Sequence, residues 1–271
     1  MFADWIGKTE TMHDIIGYSL ACRMAATLGI DISTLDSQLP LLWHWIFFQP
    51  SVPSGQLGED GHPVTGNFLP PTANRNRMWA GSHLQFLDPL VFDQPATRKS
   101  TITNITEKQG RSGALLFVTI EHDYQQNNKS CIIERQDIVY RETVRFIGGA
   151  STPVPEVEWC EHHQTNTTTL FRYSAVTFNA HRIHYDQDYA TQSEGYPGIV
   201  VQGQLLATLA LNAFLNSNPD AKIASFSFRS QSPIFHPDRF FTGGKRINDH
   251  NADLWVYNDK GIAQFGHVEF N

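Results

Sequence analysis

One stretch constrains the fold of this chain more than any other. Across residues 204–216 the polar side chains of Gln204, Thr208, Asn212 and Asn216 recur at every fourth position, and everything between them is apolar. In a helix that spacing draws a single thin polar stripe, so most of the circumference requires burial. Such a helix suits a curled antiparallel sheet that wraps it. The surrounding sequence supplies strands. Phe226 and Phe228 alternate with polar residues over 225–229, while apolar runs at 254–257 and 262–270 flank an Asn258-Asp-Lys-Gly261 turn.

The first part of the chain reads similarly. Ile16, Leu20, Met24 and Leu28 recur at helical spacing over 14–28, with Asp14 as a cap and Gly29 as a stop. Residues 49–81 hold so many Pro, Gly and Asn that they predict a long loop, a length often functional. Three β-rich runs follow at 98–106, 114–121 and 130–141, broken by Gly110, Gly113 and the Asn127-Asn128 pair. Residues 148–156 read as a linker, after which a strand near 168–177, the wrapped helix and further strands repeat the pattern. The expectation is two α+β halves, residues 1–150 and 151–271.

Composition narrows the function. The chain has 271 residues, 41% of them apolar, enough for one large core or two small ones. With 20 Lys and Arg against 27 Asp and Glu, its net charge of −7 argues against a nucleic-acid surface, which concentrates cations to displace counterions. The three cysteines, Cys22, Cys131 and Cys160, offer neither an even count nor a CxxC pair, which fits a reducing compartment. No secretory pattern opens the sequence and no apolar run reaches the roughly 18 residues of a membrane span. A soluble, cytoplasmic protein without membrane or nucleic-acid partners is expected.

One segment carries a longer signature. Residues 173–190, with Asn179-Ala-His181-Arg-Ile-His184-Tyr-Asp186 at their centre, resemble the motif of the MaoC-like (R)-specific enoyl-CoA hydratases, where an Asp precedes a His by five residues. They resemble still more closely the branch of type 2 hydroxyacyl-thioester dehydratases and itaconyl-CoA and mesaconyl-CoA hydratases, as does Glu194-Gly-Tyr-Pro-Gly198. The likeness extends through Asp60-Gly-His-Pro63, Phe68-Leu-Pro-Pro71, Arg77-Met-Trp-Ala-Gly81, Lys108-Gln-Gly-Arg-Ser-Gly113 and Gln136-Asp-Ile-Val-Tyr-Arg141. It implies a double hot dog: two antiparallel sheets each wrapping a central helix, fused in one chain. The reactive motif is kept in the second unit only, and the first serves substrate and CoA binding.

The resemblance implies a hydro-lyase that adds water reversibly to an acyl-CoA thioester, with no cofactor beyond the CoA of the substrate. Hydration at the β-carbon needs a proton acceptor and a stabiliser for the enolate. His184 matches the family's base, since an imidazole titrates near the working pH. Gly203, at the expected helix start, matches the backbone donor to the oxyanion. Asn179 stands where the hydratases carry Asp; an amide cannot accept a proton but can hold a water, which leaves His184 as base and then acid. Gln202 stands where relatives show His and is expected to shape the thioester end of the pocket. Arg182 offers a contact to a CoA phosphate or to a neighbouring carboxylate. Arg75, Arg77, Trp79, Lys108 and Arg111 are the expected substrate-binding residues of the first half, the cations as point charges or forks for phosphate.

Other readings compete with this one. A hot dog thioesterase generally needs a carboxylate on the central helix, and 204–216 holds none; no Gly-x-Ser-x-Gly elbow occurs either. A thioester-binding module without catalysis fits the missing Asp. Cys160, His162 and His163 could ligate a metal, but no second pair completes a site, so none is expected. Gly243-Gly244-Lys245 reads as a turn and His181 as a loop-fixing residue. The favoured substrates are small C5 dicarboxyl thioesters, itaconyl-CoA or mesaconyl-CoA, with a type 2 3-hydroxyacyl-thioester dehydratase of fatty acid metabolism as the alternative. A homodimer is the common assembly of such units.

Overall fold

The computed structural model describes residues 2–72, 75–110, 113–142 and 152–271. Contacts sort the chain into two units that do not follow sequence order. The first takes Met1–Met78, Phe86–Thr143 and Phe171–Arg182; the second takes Trp79–Gln85, Val144–Leu170 and Ile183–Asn271. The boundary expected at 150/151 and the first part of the 148–156 linker lie outside the described residues, and 152–156 have no regular structure.

The first unit contains β1 (Thr9–Ile15), α1 (Tyr18–Leu28), part of β2 (Arg75–Phe86), β3 (Pro95–Gly110), β4 (Gly113–Gln126) and β5 (Lys129–Glu142). Strands β1, β3, β4 and β5 pair antiparallel in that order. The β4–β5 hairpin turns on Asn127 and Asn128, both at positive φ (53° and 60°), the backbone that such a short turn requires and that Asn tolerates. The helix expected from residue 14 begins only at Tyr18. Residues 9–15 extend as β1 instead, and Asp14 accepts the Phe48 N–H (2.8 Å) rather than capping α1. Its end is as read: Gly29 turns left-handed at φ 72°. The 49–81 loop gives way to β2 already at Arg75, because the polar Arg75, Asn76 and Arg77 hide the strand pattern.

Ile102, Leu116, Val118, Ile120, Ile138 and Tyr140 form the apolar core of this unit. Buried residues Ala21, Met24 and Ala25 turn α1 towards the 3-10 turn Trp43–Ile46, all four of whose residues are buried. That turn also feeds a polar knot. Glu134, 1% exposed, accepts from Trp45 Nε1 (3.1 Å) and Tyr124 Oη (3.1 Å) and lies 3.3 Å from His44 Nε2. A buried carboxylate is tolerated only with such partners. Burial, reinforced by the charge of Glu134, raises the Tyr124 hydroxyl well above its usual range.

The second unit contains β6 (Trp159–Gln164), the start of α2 (Thr167–Val176), α3 (Gly203–Ser217), β7 (Ile223–Ser230), β8 (Arg239–Asn248), β9 (Asn251–Asn258) and β10 (Gly261–Phe270). Residues 81–85 of β2 pair with β7, which leads through β10, β9 and β8 to β6, every pairing antiparallel. Helix α3 lies against β6, β8, β9 and β10 and buries Leu205, Leu206, Ala207, Ala210, Leu211, Ala213 and Phe214. Thr208 is buried as well, its hydroxyl donating to the Gln204 carbonyl (2.9 Å), so the polar stripe is narrower than its sequence spacing implied. The α+β double hot dog is thus the architecture.

Two local expectations are corrected. Residues 168–176 are helix, not strand: the Asn166 carboxamide oxygen accepts the Thr169 N–H (2.8 Å), and this cap outweighs the strand preference of the threonines. Gly243 and Gly244 lie within β8, not in a turn; a Cβ on Gly244 would stand 2.2 Å from the Trp159 ring, so the small residues make room for that indole. Among the described residues no helix is long and apolar enough to cross a membrane.

Candidate active site

The signature segment begins where α2 ends. Thr177 Oγ1 donates to the Tyr173 carbonyl (2.7 Å), and Phe178 turns the chain out of the helix at φ 50°. Positive φ is uncommon for a bulky residue and needs support. The Asn179 N–H supplies it by donating to the Ser174 carbonyl (2.8 Å). Asn179 Oδ1 in turn accepts the His181 N–H (3.1 Å), an Asx turn. The carbonyl end of this amide therefore holds backbone, and what it can offer a ligand is the Nδ2 donor pair.

The loop at 58–62, in the same unit, grips the next residues. The Arg182 N–H donates to the Asp60 carbonyl (2.9 Å) and Arg182 Nη1 to the Glu59 carbonyl (3.0 Å). Gly61 sits at φ 88°, and a Cβ there would lie 1.9 Å from the Ala180 carbonyl oxygen. Asp60 Oδ1 accepts the His62 N–H (3.0 Å), Oδ2 pairs with His62 Nδ1 (2.9 Å), and the His62 ring lies 4.2 Å from that of His181. Burial opposes the charge of Asp60, but hydrogen bonding and charge from His62, with Arg77 behind them, lower its pKa below the usual value. Burial lowers the His62 pKa against the pull of Asp60. Asp60, His62 and His181 are also the group among the described residues whose donor atoms, all within 4.8 Å of one another, could surround a metal ion.

His184 closes the 3-10 turn Arg182–His184 and is buried. Its Nδ1 lies 2.8 Å from the Val200 carbonyl oxygen, while the Val200 N–H donates back to the Ile183 carbonyl (2.9 Å). A carbonyl oxygen only accepts. Nδ1 therefore carries a proton and donates it to that carbonyl, so in a neutral ring Nε2 is the basic nitrogen. Three residues beyond Val200, α3 starts at Gly203. The first i→i−4 bond is Leu206 N–H to the Gln202 carbonyl (3.1 Å), so the N–H groups of the opening turn lie outside that ladder. Gln264 Nε2 holds the Gly203 carbonyl (3.1 Å). The Gln202 side chain is buried and donates to the Leu170 carbonyl (2.9 Å), which ties α3 to α2.

The remaining expected residues are dispersed. Arg75 and Arg77 open β2, and Arg77 acts on Asp60 and His62 through its charge. Trp79 donates from Nε1 to the Gly81 carbonyl and Ser82 Oγ, both at 3.0 Å. Lys108 lies on β3 with Nζ 5.0 Å from the Phe117 ring, and Arg111 falls outside the described residues. Cys160 and His163 on β6 go to different partners, Tyr257 and Thr242, so the metal reading of that strand has no convergence. The sequence reading assigns the Asp60–His62 pair no role of its own. Its signal was the Asp-Gly-His string, in which Asp can accept from its own backbone two residues on.

The fold and the relatives of this chain place it among the hydro-lyases of the hydratase and dehydratase type. The chain belongs to the hydroxyacyl-thioester dehydratase type 2 family, whose model matches residues 42–236. It is 48% identical over 241 residues to the mesaconyl-C(4)-CoA hydratase of Chloroflexus aurantiacus, covering 85% of this chain and 84% of that protein. It is 28% identical over 252 residues to the mitochondrial type 2 hydroxyacyl-thioester dehydratase of Schizosaccharomyces pombe, covering 80% and 82%. The crystal structure of HtdX of Mycobacterium tuberculosis superposes with a TM-score of 0.72 at 19% identity over 97% of this chain and all of that one. A MaoC-like dehydratase from Phytophthora capsici gives 0.71 at 16% identity, covering 98% and 96%.

Proposed function

We propose that this enzyme hydrates a C5 dicarboxyl enoyl-CoA, with mesaconyl-CoA joined through C4 first in line, and that His184 is its acid–base group. The observation that carries the chemistry is the bond from His184 Nδ1 to the Val200 carbonyl, which leaves Nε2 as the proton acceptor. Water gives a proton to Nε2 as its oxygen bonds to the β-carbon. The π electrons move onto the thioester oxygen, an N–H at the α3 terminus such as that of Gly203 holds the enolate, and the imidazolium then returns the proton to the α-carbon. Asn179 positions the water through Nδ2. No cofactor beyond the CoA of the substrate enters this sequence.

The substrate class rests on the 48% identity to the Chloroflexus aurantiacus enzyme. Its CoA phosphates and second carboxylate call for cations, and Arg75, Arg77, Lys108 and Arg111 are proposed to supply them, with Trp79 against the acyl part. The test is turnover on mesaconyl-C4-CoA, itaconyl-CoA and crotonyl-CoA side by side, following loss of the enoyl absorbance and release of free thiol. Hydration of a C5 substrate without thiol release is expected. Preference for crotonyl-CoA would move the assignment to the fatty acyl dehydratases, and thiol release to the thioesterases. Light scattering tests the expected homodimer.

A further inference from the structure

We infer that the Asp60–His62 pair is a positioning clamp for the turn that carries Asn179 and runs into His184. The inference rests on the hydratase reading of that segment and adds to it residues outside the signature. Three contacts of different kinds converge on 179–182. The first is main-chain, from the Arg182 N–H to the Asp60 carbonyl at 2.9 Å. The second is steric: Gly61 at φ 88° approaches Ala180 so closely that a Cβ would fall 1.9 Å from its carbonyl oxygen. The third is the His62 ring against His181 at 4.2 Å, held there by Asp60 at 2.9 Å.

The arrangement is directional. Asp60 accepts from the backbone and from the ring of His62 at once, which fixes the imidazole in both position and tautomer. That ring then backs His181, whose own N–H holds Asn179 Oδ1 (3.1 Å). A shift of the clamp therefore reaches the amide that positions water and the residues leading to His184, and small misplacements of reacting groups cost large factors in rate. The same three side chains could be taken as metal ligands, but His62 Nδ1 and Asp60 Oδ2 are committed to one another at hydrogen-bond distance.

The experiment compares Asp60→Asn, His62→Ala and His62→Phe with wild type, reading kcat and KM on the best thioester and hydrogen exchange of the peptide covering 177–184. A clamp predicts that kcat falls about 10–10²-fold in His62→Ala with KM nearly unchanged. It predicts that His62→Phe, which keeps a ring against His181, regains most of that loss, and that amides 181 and 182 exchange faster in Asp60→Asn and His62→Ala. Unchanged exchange and unchanged kcat overturn the inference, as does a loss that merely follows the folded fraction measured by circular dichroism. Stoichiometric zinc binding that Asp60→Asn abolishes, with turnover lost to a chelator, overturns it in favour of a metal site. Exchange does not depend on the substrate, so failure of the hydratase reading and failure of the clamp are separate results.

Discussion

At the scale of single residues, the histidines divide by what holds their rings. His184 is held at Nδ1 by a carbonyl and is the proposed acid–base group, so His184→Ala is expected to lower turnover by roughly 10²–10⁴-fold with an unchanged circular dichroism spectrum. Wild-type turnover in that variant would remove it from the mechanism. His122 is the opposite case. Its Nε2 meets Gln136 Oε1 (3.3 Å), its Nδ1 meets Ser100 Oγ (2.8 Å), and burial lowers its pKa to about 4. Because the unfolded chain takes up this proton near pH 6.5 and the folded one only near 4, stability is lost as pH falls through that window. The loss amounts to about 3 kcal/mol for this group. Urea titrations at pH 7 and pH 5 should show a smaller acid-induced drop for His122→Gln than for wild type; equal drops would mean that His122 titrates normally.

At the scale of elements, the start of α3 is where a backbone group is asked to do chemistry. A Cβ on Gly203 would meet only Ser230 Oγ at 3.6 Å, ordinary contact. Gly203→Ala should therefore keep turnover within a few-fold. Gly203→Pro removes the N–H at a position where proline is otherwise tolerated and should abolish turnover of a folded protein. Full activity of the proline variant would place the oxyanion donor elsewhere. This helix was legible in the sequence because burial on most sides imposes a pattern that nothing else produces. Helix α2 was not, since its threonines favour strands and its cap, Asn166, acts through hydrogen bonds to Thr169 that no periodicity records. The same limit hid the clamp. Asn179 and His184 could be read from a string, whereas the approach of Gly61 to Ala180 joins positions far apart in sequence.

At the scale of the molecule, the two units exchange pieces of chain: residues 79–85 from the first half of the sequence belong to the second unit, and 171–182 from the second half belong to the first. Gly81 shows how tightly the first of these is seated, since a Cβ there would lie 2.2 Å from the Phe228 carbonyl oxygen. Gly81→Ala is expected to lower the melting temperature by several degrees or to prevent folding, because the clash is with backbone that cannot yield without breaking the β2–β7 ladder. Wild-type melting of that variant would show that the ladder relaxes. Fragments 1–150 and 151–271 expressed separately should each be insoluble and should recover turnover only when co-expressed. A cut at 150/151 thus strips each unit of a segment that completes it, so the two halves are expected to complement one another rather than to fold alone.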